Sequence, residues 1–138
     1  MSYWVYFLFV GDWKSGNNRK IYIGYTKHLM IRLSQHIGLS SIKGAKFTRK
    51  QPIELARVEI YDRQKEALQR EWQLKHKNPM NQKINKLRLI NEFKAKYPDE
   101  LLKINKYLKD YYFYLNRLNK IMSEEEKTLI AALKRNEV

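Results

Sequence analysis

Five polar side chains in the first eighty residues have types and spacings that suit chemistry on a phosphodiester. Tyr6 and Tyr22 lie midway along two apolar stretches that flank a Gly-, Asn- and Ser-rich segment, as on neighbouring strands of one hairpin. Arg32 and His36 are four residues apart, on one face of a helix. Glu71 stands beside Trp72 in a second helical stretch. The five converge if both helices pack near one end of a small sheet. Hydrolysis needs a deprotonated water, neutralisation of a phosphorane-like charge and help for the leaving oxygen. The forked donors of an arginine do the second job. One glutamate holds one Mg²⁺, with waters and phosphate oxygens completing its shell.

Each residue also has a plain reading. Tyrosine favours strands in any case. Arg32 alone is a solvated helix charge, and His36 alone is a helix-face or cap residue. Glu71, four before Lys75, suits an exposed ion pair of small worth. The case for a site rests on the set. A two-metal site wants several carboxylates close together. The first eighty residues offer Asp12, Glu54, Glu59, Asp62, Glu66 and Glu71 without an obvious cluster, so a single ion is expected.

The elements that must position these groups can be read from the pattern. Tyr3–Val10 is β-branched and aromatic, a buried strand. Residues 11–19 read as a loop, and Lys20–Thr26 alternates as the second strand of the hairpin. Leu29, Met30, Leu33 and Ile37 have helical spacing, with Gly38 as the stop. A basic loop follows to Gln51, and Pro52 leads into an alternating strand, Ile53–Tyr61. Asp62 is the expected N-cap of a helix to about Lys77, ended by Asn78-Pro79.

Residues 1–80 therefore read β-β-α-β-α and residues 81–138 all-helical. The fold class is α+β: a three-stranded antiparallel sheet with flanking helices and a C-terminal helical extension packed on it. Pro98 opens a helix whose first turn carries Asp99 and Glu100. Leu101, Ile104, Leu108, Tyr111, Leu115, Leu118 and Met122 form a heptad-like seam, suited to packing on the chain itself or to a protein partner. Ser123 with Glu126 reads as a capping box for a last helix through Leu133.

Composition bounds the function. The 138 residues include 28 Lys and Arg against 14 Asp and Glu, a formal charge of +14. Such an excess points to a polyanion, most often nucleic acid. Lys43, Lys46, Arg49 and Lys50 lie in the basic loop with no acidic neighbour, as for contacts to DNA phosphates. There is no Cys, which excludes disulfides, thiolate zinc sites and cysteine nucleophiles. The longest apolar run, Trp4–Val10, is too short to span a bilayer, and the N-terminus lacks the marks of a secretory signal. An intracellular protein, in cytoplasm or nucleus, with no membrane association is the expectation.

Val5-Tyr6, then Tyr22-Ile23-Gly24, then Arg32 and His36, then Arg70-Glu71-Trp72, resemble in order the GIY-YIG nuclease domain. Lys43–Arg49 and Glu66–Leu74 extend the likeness, which covers about residues 3–77. It is similar to the small stand-alone proteins of that superfamily and to the catalytic subunit of junction-resolving endonucleases. The resemblance implies a Mg²⁺- or Mn²⁺-dependent endonuclease acting on branched, flapped or otherwise structured DNA, in repair or recombination. It implies that Tyr6 and Tyr22 match the two motif tyrosines, one of which helps deprotonate water. Arg32 matches the arginine that grips the scissile phosphate, Glu71 the single metal ligand, and His36 a frequent active-site histidine. A free tyrosine titrates near pH ~10, so a tyrosine base must be tuned or linked to metal-bound water. The first triplet, Trp4-Val5-Tyr6, lacks a leading glycine, and with no Cys there is no zinc-binding domain of the junction-resolving kind. Two other readings stand beside the enzyme: a catalytically silent nucleic-acid-binding module on the same scaffold, and an interaction scaffold in which the helical tail binds a protein.

Overall fold

The structure, a computed structural model, describes residues 1–36, 53–110 and 115–136, with residues 13 and 115–124 as backbone only. Three strands, β1 (Tyr3–Val10), β2 (Lys20–Thr26) and β3 (Ile53–Tyr61), form an antiparallel sheet in the order β2-β1-β3. These are the strands that the alternating pattern predicts. β1 is central and almost wholly buried, because its aromatic and β-branched residues supply both sheet faces.

The helices are α1 (Leu29–His36), α2 (Gln64–His76), α3 (Lys83–Lys96), α4 (Pro98–Asp110) and α5 (Leu115–Arg135). One face of the sheet carries Trp4, Tyr6, Leu8, Val10, Leu55 and Val58. It packs with Leu29, Met30 and Leu33 of α1, Leu101, Ile104 and Leu108 of α4, and Leu129, Ala132 and Leu133 of α5. The other face, with Val5, Phe7, Phe9 and Ile23, packs with Ala67 and Leu74 of α2 and Ile90 of α3. Helices from beyond residue 80 thus contribute to both cores.

Two side-chain devices tie helices to the β3 edge. Asn105 of α4 accepts from the Leu55 N–H at 2.7 Å and donates to its carbonyl at 3.0 Å, satisfying strand groups next to the register shift at Phe7/Leu8. On the opposite face Glu59 holds three partners. Arg70 of α2 donates to it twice, at 2.8 and 3.1 Å, Arg57 once at 3.0 Å, and the Tyr61 hydroxyl once at 2.8 Å. Burial pushes the Glu59 carboxyl up, but the Arg70 hydrogen bonds and the two arginine charges prevail and hold it below the usual carboxylate range.

Three local expectations are corrected. The segment read as a loop contains a short 3₁₀ helix, Trp13–Asn18, with Asp12 accepting from the Lys14 N–H as its cap. Asp62 is not the N-cap of α2; Arg63 occupies that position, with no side-chain cap bond. No helix starts at Ser123, because α5 is continuous through it, and Glu126 accepts instead from the backbone N–H of Met30 in α1. Gly38, the basic loop with Lys43, Lys46, Arg49 and Lys50, and Tyr111 lie outside the described residues, as do the side chains of Leu115, Leu118 and Met122. The described part of the seam, Leu101, Ile104 and Leu108, is buried against the sheet.

Candidate active site

The hairpin register places Tyr6 opposite Gly24 and Leu8 opposite Tyr22. Tyr6 and Tyr22 are therefore diagonal neighbours on one sheet face, with ring centroids 6.3 Å apart. Glycine at 24 has a steric cause. A Cβ there would lie 2.3 Å from both Cζ and Oη of Tyr6, so the phenol occupies the space a side chain would fill.

α1 packs its apolar side on this face and brings His36 to the tyrosines. The Tyr6 hydroxyl and His36 Nε2 are 2.6 Å apart, and the His36 ring stands edge-on to Tyr6 and Tyr22, at 5.5 and 5.0 Å. Burial, reinforced by the Arg32 charge, lowers the His36 pKa to about 3. Burial, with the Tyr22 phenolate disfavouring a second charge nearby, pushes the Tyr6 phenol up, although Arg32 opposes this. With the phenol protonated and the imidazole neutral, Tyr6 donates to Nε2 when the ring proton sits on Nδ1, and Nε2–H donates to the phenol oxygen in the other tautomer.

Arg32, one turn before His36, is within hydrogen-bonding reach of the Tyr6 phenol and also donates to Gln35 at 3.0 Å. Glu71 approaches from α2, whose buried residues face the other side of the sheet. β2 is an edge strand, and the α2 flank carrying Glu71 and Lys75 meets the tyrosine face there. Lys75 Nζ lies 5.8 Å from the Tyr22 ring centroid and pairs with Glu71 at 3.4 Å. The Glu71 charge is felt at the Tyr6 phenol. Its side chain retains 21% of its exposure, enough for an ion or phosphate to reach.

Tyr6, Tyr22, Arg32, His36 and Glu71 are thus brought together around the middle of the β1–β2 hairpin. The positions of Lys75 and Lys86 were not legible beforehand. Burial, with the Lys75 charge adding to it, lowers the Lys86 pKa. Gly24 did carry a signal, since a glycine inside an alternating strand marks a close approach. A cleft of about 510 Å³ opens along β3, the opposite sheet edge, lined by Arg57, Glu59, Arg70, Phe93 and Tyr97 among others, and is separate from the five residues.

The family described as the GIY-YIG catalytic domain matches residues 2–85. The chain belongs to the GIY-YIG family. Its sheet and flanking helices have the α+β architecture expected of that domain. Among its relatives is UPF0213 protein YsiG of Lactococcus lactis, 34% identical over 96 residues, which are 67% of this chain and 89% of the relative. A UPF0213 protein of Staphylococcus epidermidis is 38% identical over 60 residues, 43% of this chain and 70% of the relative. No solved structure matches the chain. The family is a nuclease family. Among the described residues no helix is long and apolar enough to cross a membrane.

Proposed function

We propose that this GIY-YIG protein is a divalent-metal-dependent endonuclease that hydrolyses DNA phosphodiesters, with branched, flapped or otherwise structured DNA as its substrate class. Residues 1–80 form the chemical unit and residues 81–138 an extension packed on it. The observation that carries the reading is the Tyr6–His36 hydrogen bond, with Arg32 and Glu71 in electrostatic reach of the same phenol.

The donor set fits one ion. Glu71 offers an accessible carboxylate, and Mg²⁺ accepts one or two carboxylates while keeping waters and phosphate oxygens. Among the described residues no three His, Asp or Glu side chains cluster, which favours a single Mg²⁺ or Mn²⁺ over a pair. When bound, the ion supplies positive charge to the phosphate and its leaving oxygen.

The chain's own groups divide the remaining work. Arg32 binds the non-bridging phosphate oxygens through its planar fork. With the His36 ring proton on Nδ1, Tyr6 takes up the proton of the attacking water only by passing its own to His36 Nε2. The water becomes the hydroxyl that bonds to phosphorus, the leaving oxygen takes its bond pair away, and His36 ends as imidazolium. The bound phosphate's negative charge offsets Arg32, one of the two causes that keep His36 hard to protonate. Tyr22, less buried than Tyr6, is the phenol that incoming substrate meets first. Lys43, Lys46, Arg49 and Lys50 contact the DNA backbone in this reading.

The deciding experiment is a cleavage panel of synthetic duplex, single-stranded, flapped and branched DNAs with Mg²⁺ or Mn²⁺. Wild type cuts at least one structured substrate, while Arg32→Ala and Glu71→Ala bind it and do not cut. Failure of wild type on every shape and with both ions overturns the enzyme reading. The Lys75–Glu71 ion pair favours a second reading, a binding module whose carboxylate is already neutralised. Binding without cleavage in the same panel establishes it.

A further inference from the structure

α1, the helix that carries Arg32 and His36, has no acidic residue in its first turn. Among the described residues, the local side-chain cap is on the residue before it: the His28 N–H donates to Thr26 Oγ1 at 3.0 Å. The first N–H groups of a helix have no intrahelical partner, and a side-chain oxygen at the cap normally accepts from one of them. Here that oxygen comes from the far end of the chain. The Met30 N–H donates to Glu126 Oε2 at 3.1 Å, across 96 residues. The acceptor is a carboxylate at the positive end of the helix dipole, the favourable pairing of sign and place.

Glu126 is itself held. On α5, Leu129, Ala132 and Leu133 share one core with Leu29, Met30 and Leu33 of α1. The neighbouring Glu125 accepts from the Tyr107 hydroxyl of α4 at 3.3 Å. The family match ends at residue 85, so this carboxylate lies outside the matched domain.

We propose that Glu126 is a positioning residue for the active site: the C-terminal extension caps α1 in trans of the domain and thereby fixes Arg32 and His36 against Tyr6. The inference rests on the nuclease reading for its catalytic consequence, but the cap itself is tested without cleavage. The first turn of a helix is held by its cap, so losing this charge-assisted one lets the first turn of α1 fray. Small displacements of a phosphate-gripping arginine reduce turnover more than they reduce DNA affinity, which is spread over many backbone contacts.

The experiment compares wild type with Glu126→Ala, Glu126→Gln and a control, Glu54→Ala, which removes the remote Arg19–Glu54 pair at 2.8 Å. Amide hydrogen exchange and single-turnover cleavage are measured on each full-length protein. Glu126→Ala speeds exchange in residues 30–36 while β1 and β2 stay protected. It lowers kcat by about ten-fold and changes KM by less than about two-fold. Glu126→Gln, whose amide oxygen still accepts from Met30, recovers most of both. Glu54→Ala leaves α1 exchange and kcat unchanged at a matched loss of melting temperature. Unchanged α1 exchange in Glu126→Ala overturns the proposal, and so does a kcat equal to that of an active wild type. If wild type cuts nothing, the nuclease reading falls, and the exchange comparison still decides whether Glu126 holds α1.

Discussion

Gly24 and Tyr6 face each other across β1 and β2 with no room for a methyl group, since a Cβ on Gly24 would sit 2.3 Å from the phenol oxygen. The phenol cannot stay where it hydrogen-bonds His36 if residue 24 gains a side chain. Gly24→Ala is expected to turn the Tyr6 ring out of place and break the 2.6 Å bond to His36. Cleavage should fall by about 100-fold, from misplacement alone. Overpacking of this kind costs about 1–3 kcal/mol, so the variant remains folded, and circular dichroism with a melting curve separates the two effects. Wild-type cleavage by a folded Gly24→Ala protein would show that the phenol position is irrelevant to turnover.

His36 links the same site to acid stability. Its folded pKa is lowered to about 3 by burial and by Arg32. An unfolded histidine titrates near ~6.5, so between these values the unfolded chain binds the extra proton. Stability from this residue is full above pH ~6.5 and declines as pH falls toward the folded value. The slope is at most about 1.4 kcal/mol per pH unit for one proton. Denaturant unfolding of wild type and His36→Gln between pH ~7 and ~5, above most carboxylate titration, should give a flatter curve for the variant. Parallel curves would mean that His36 is not held neutral. The kcat/KM profile should likewise show no acid limb from His36 in that range, because the free enzyme's histidine is already neutral.

The strands were legible because their signals are local. Apolar alternation in Lys20–Thr26 and Ile53–Tyr61 and the aromatic run of Tyr3–Val10 define each strand from its own residues. The five candidate residues stand out in the sequence as an ordered motif, and the register and α1 packing supply the proximity that no spacing states. What escaped was set by distant partners. Glu126 has the spacing of a local capping box with Ser123, yet its acceptor role is spent on Met30, which no sequence window of helical length contains. Asp62 has the right chemistry for a cap but stands one residue too early, because α2 enters its helix after Arg63. The 3₁₀ helix at Trp13–Asn18 ends in Ser, Gly and two Asn, whose types signal only a turn.

Glu59 shows what a buried carboxylate does when its partners are all satisfied. Two arginines and the Tyr61 hydroxyl converge on a side chain with 9% of its exposure left. Removing the carboxylate leaves two guanidinium groups beside each other without a counter-charge. Glu59→Ala is expected to lose about 3–5 kcal/mol, measured by denaturant unfolding. Glu59→Gln keeps an acceptor for one arginine and loses less. Arg70 precedes Glu71, so any folded fraction of Glu59→Ala should also show weakened dependence of cleavage on divalent-ion concentration. A loss below about 1 kcal/mol would mean that the arginines find new partners or solvent.

Binding should be governed by charge. With a formal excess of +14, contacts to DNA phosphates release condensed counterions, and the logarithm of affinity falls linearly with the logarithm of salt. Each phosphate contact adds about 0.9 to that slope on duplex DNA. Six contacts would therefore cost roughly a thousand-fold in affinity between about 50 and 200 mM salt. Lys43→Ala, Lys46→Ala, Arg49→Ala and Lys50→Ala should each reduce the slope by about one while weakening all sequences alike. Arg32→Ala should behave differently, reducing cleavage far more than the slope, because one guanidinium at the scissile phosphate serves the reaction more than the encounter. A slope near zero in wild type, or base-dependent losses in the lysine variants, would place recognition in base contacts rather than in the phosphate backbone.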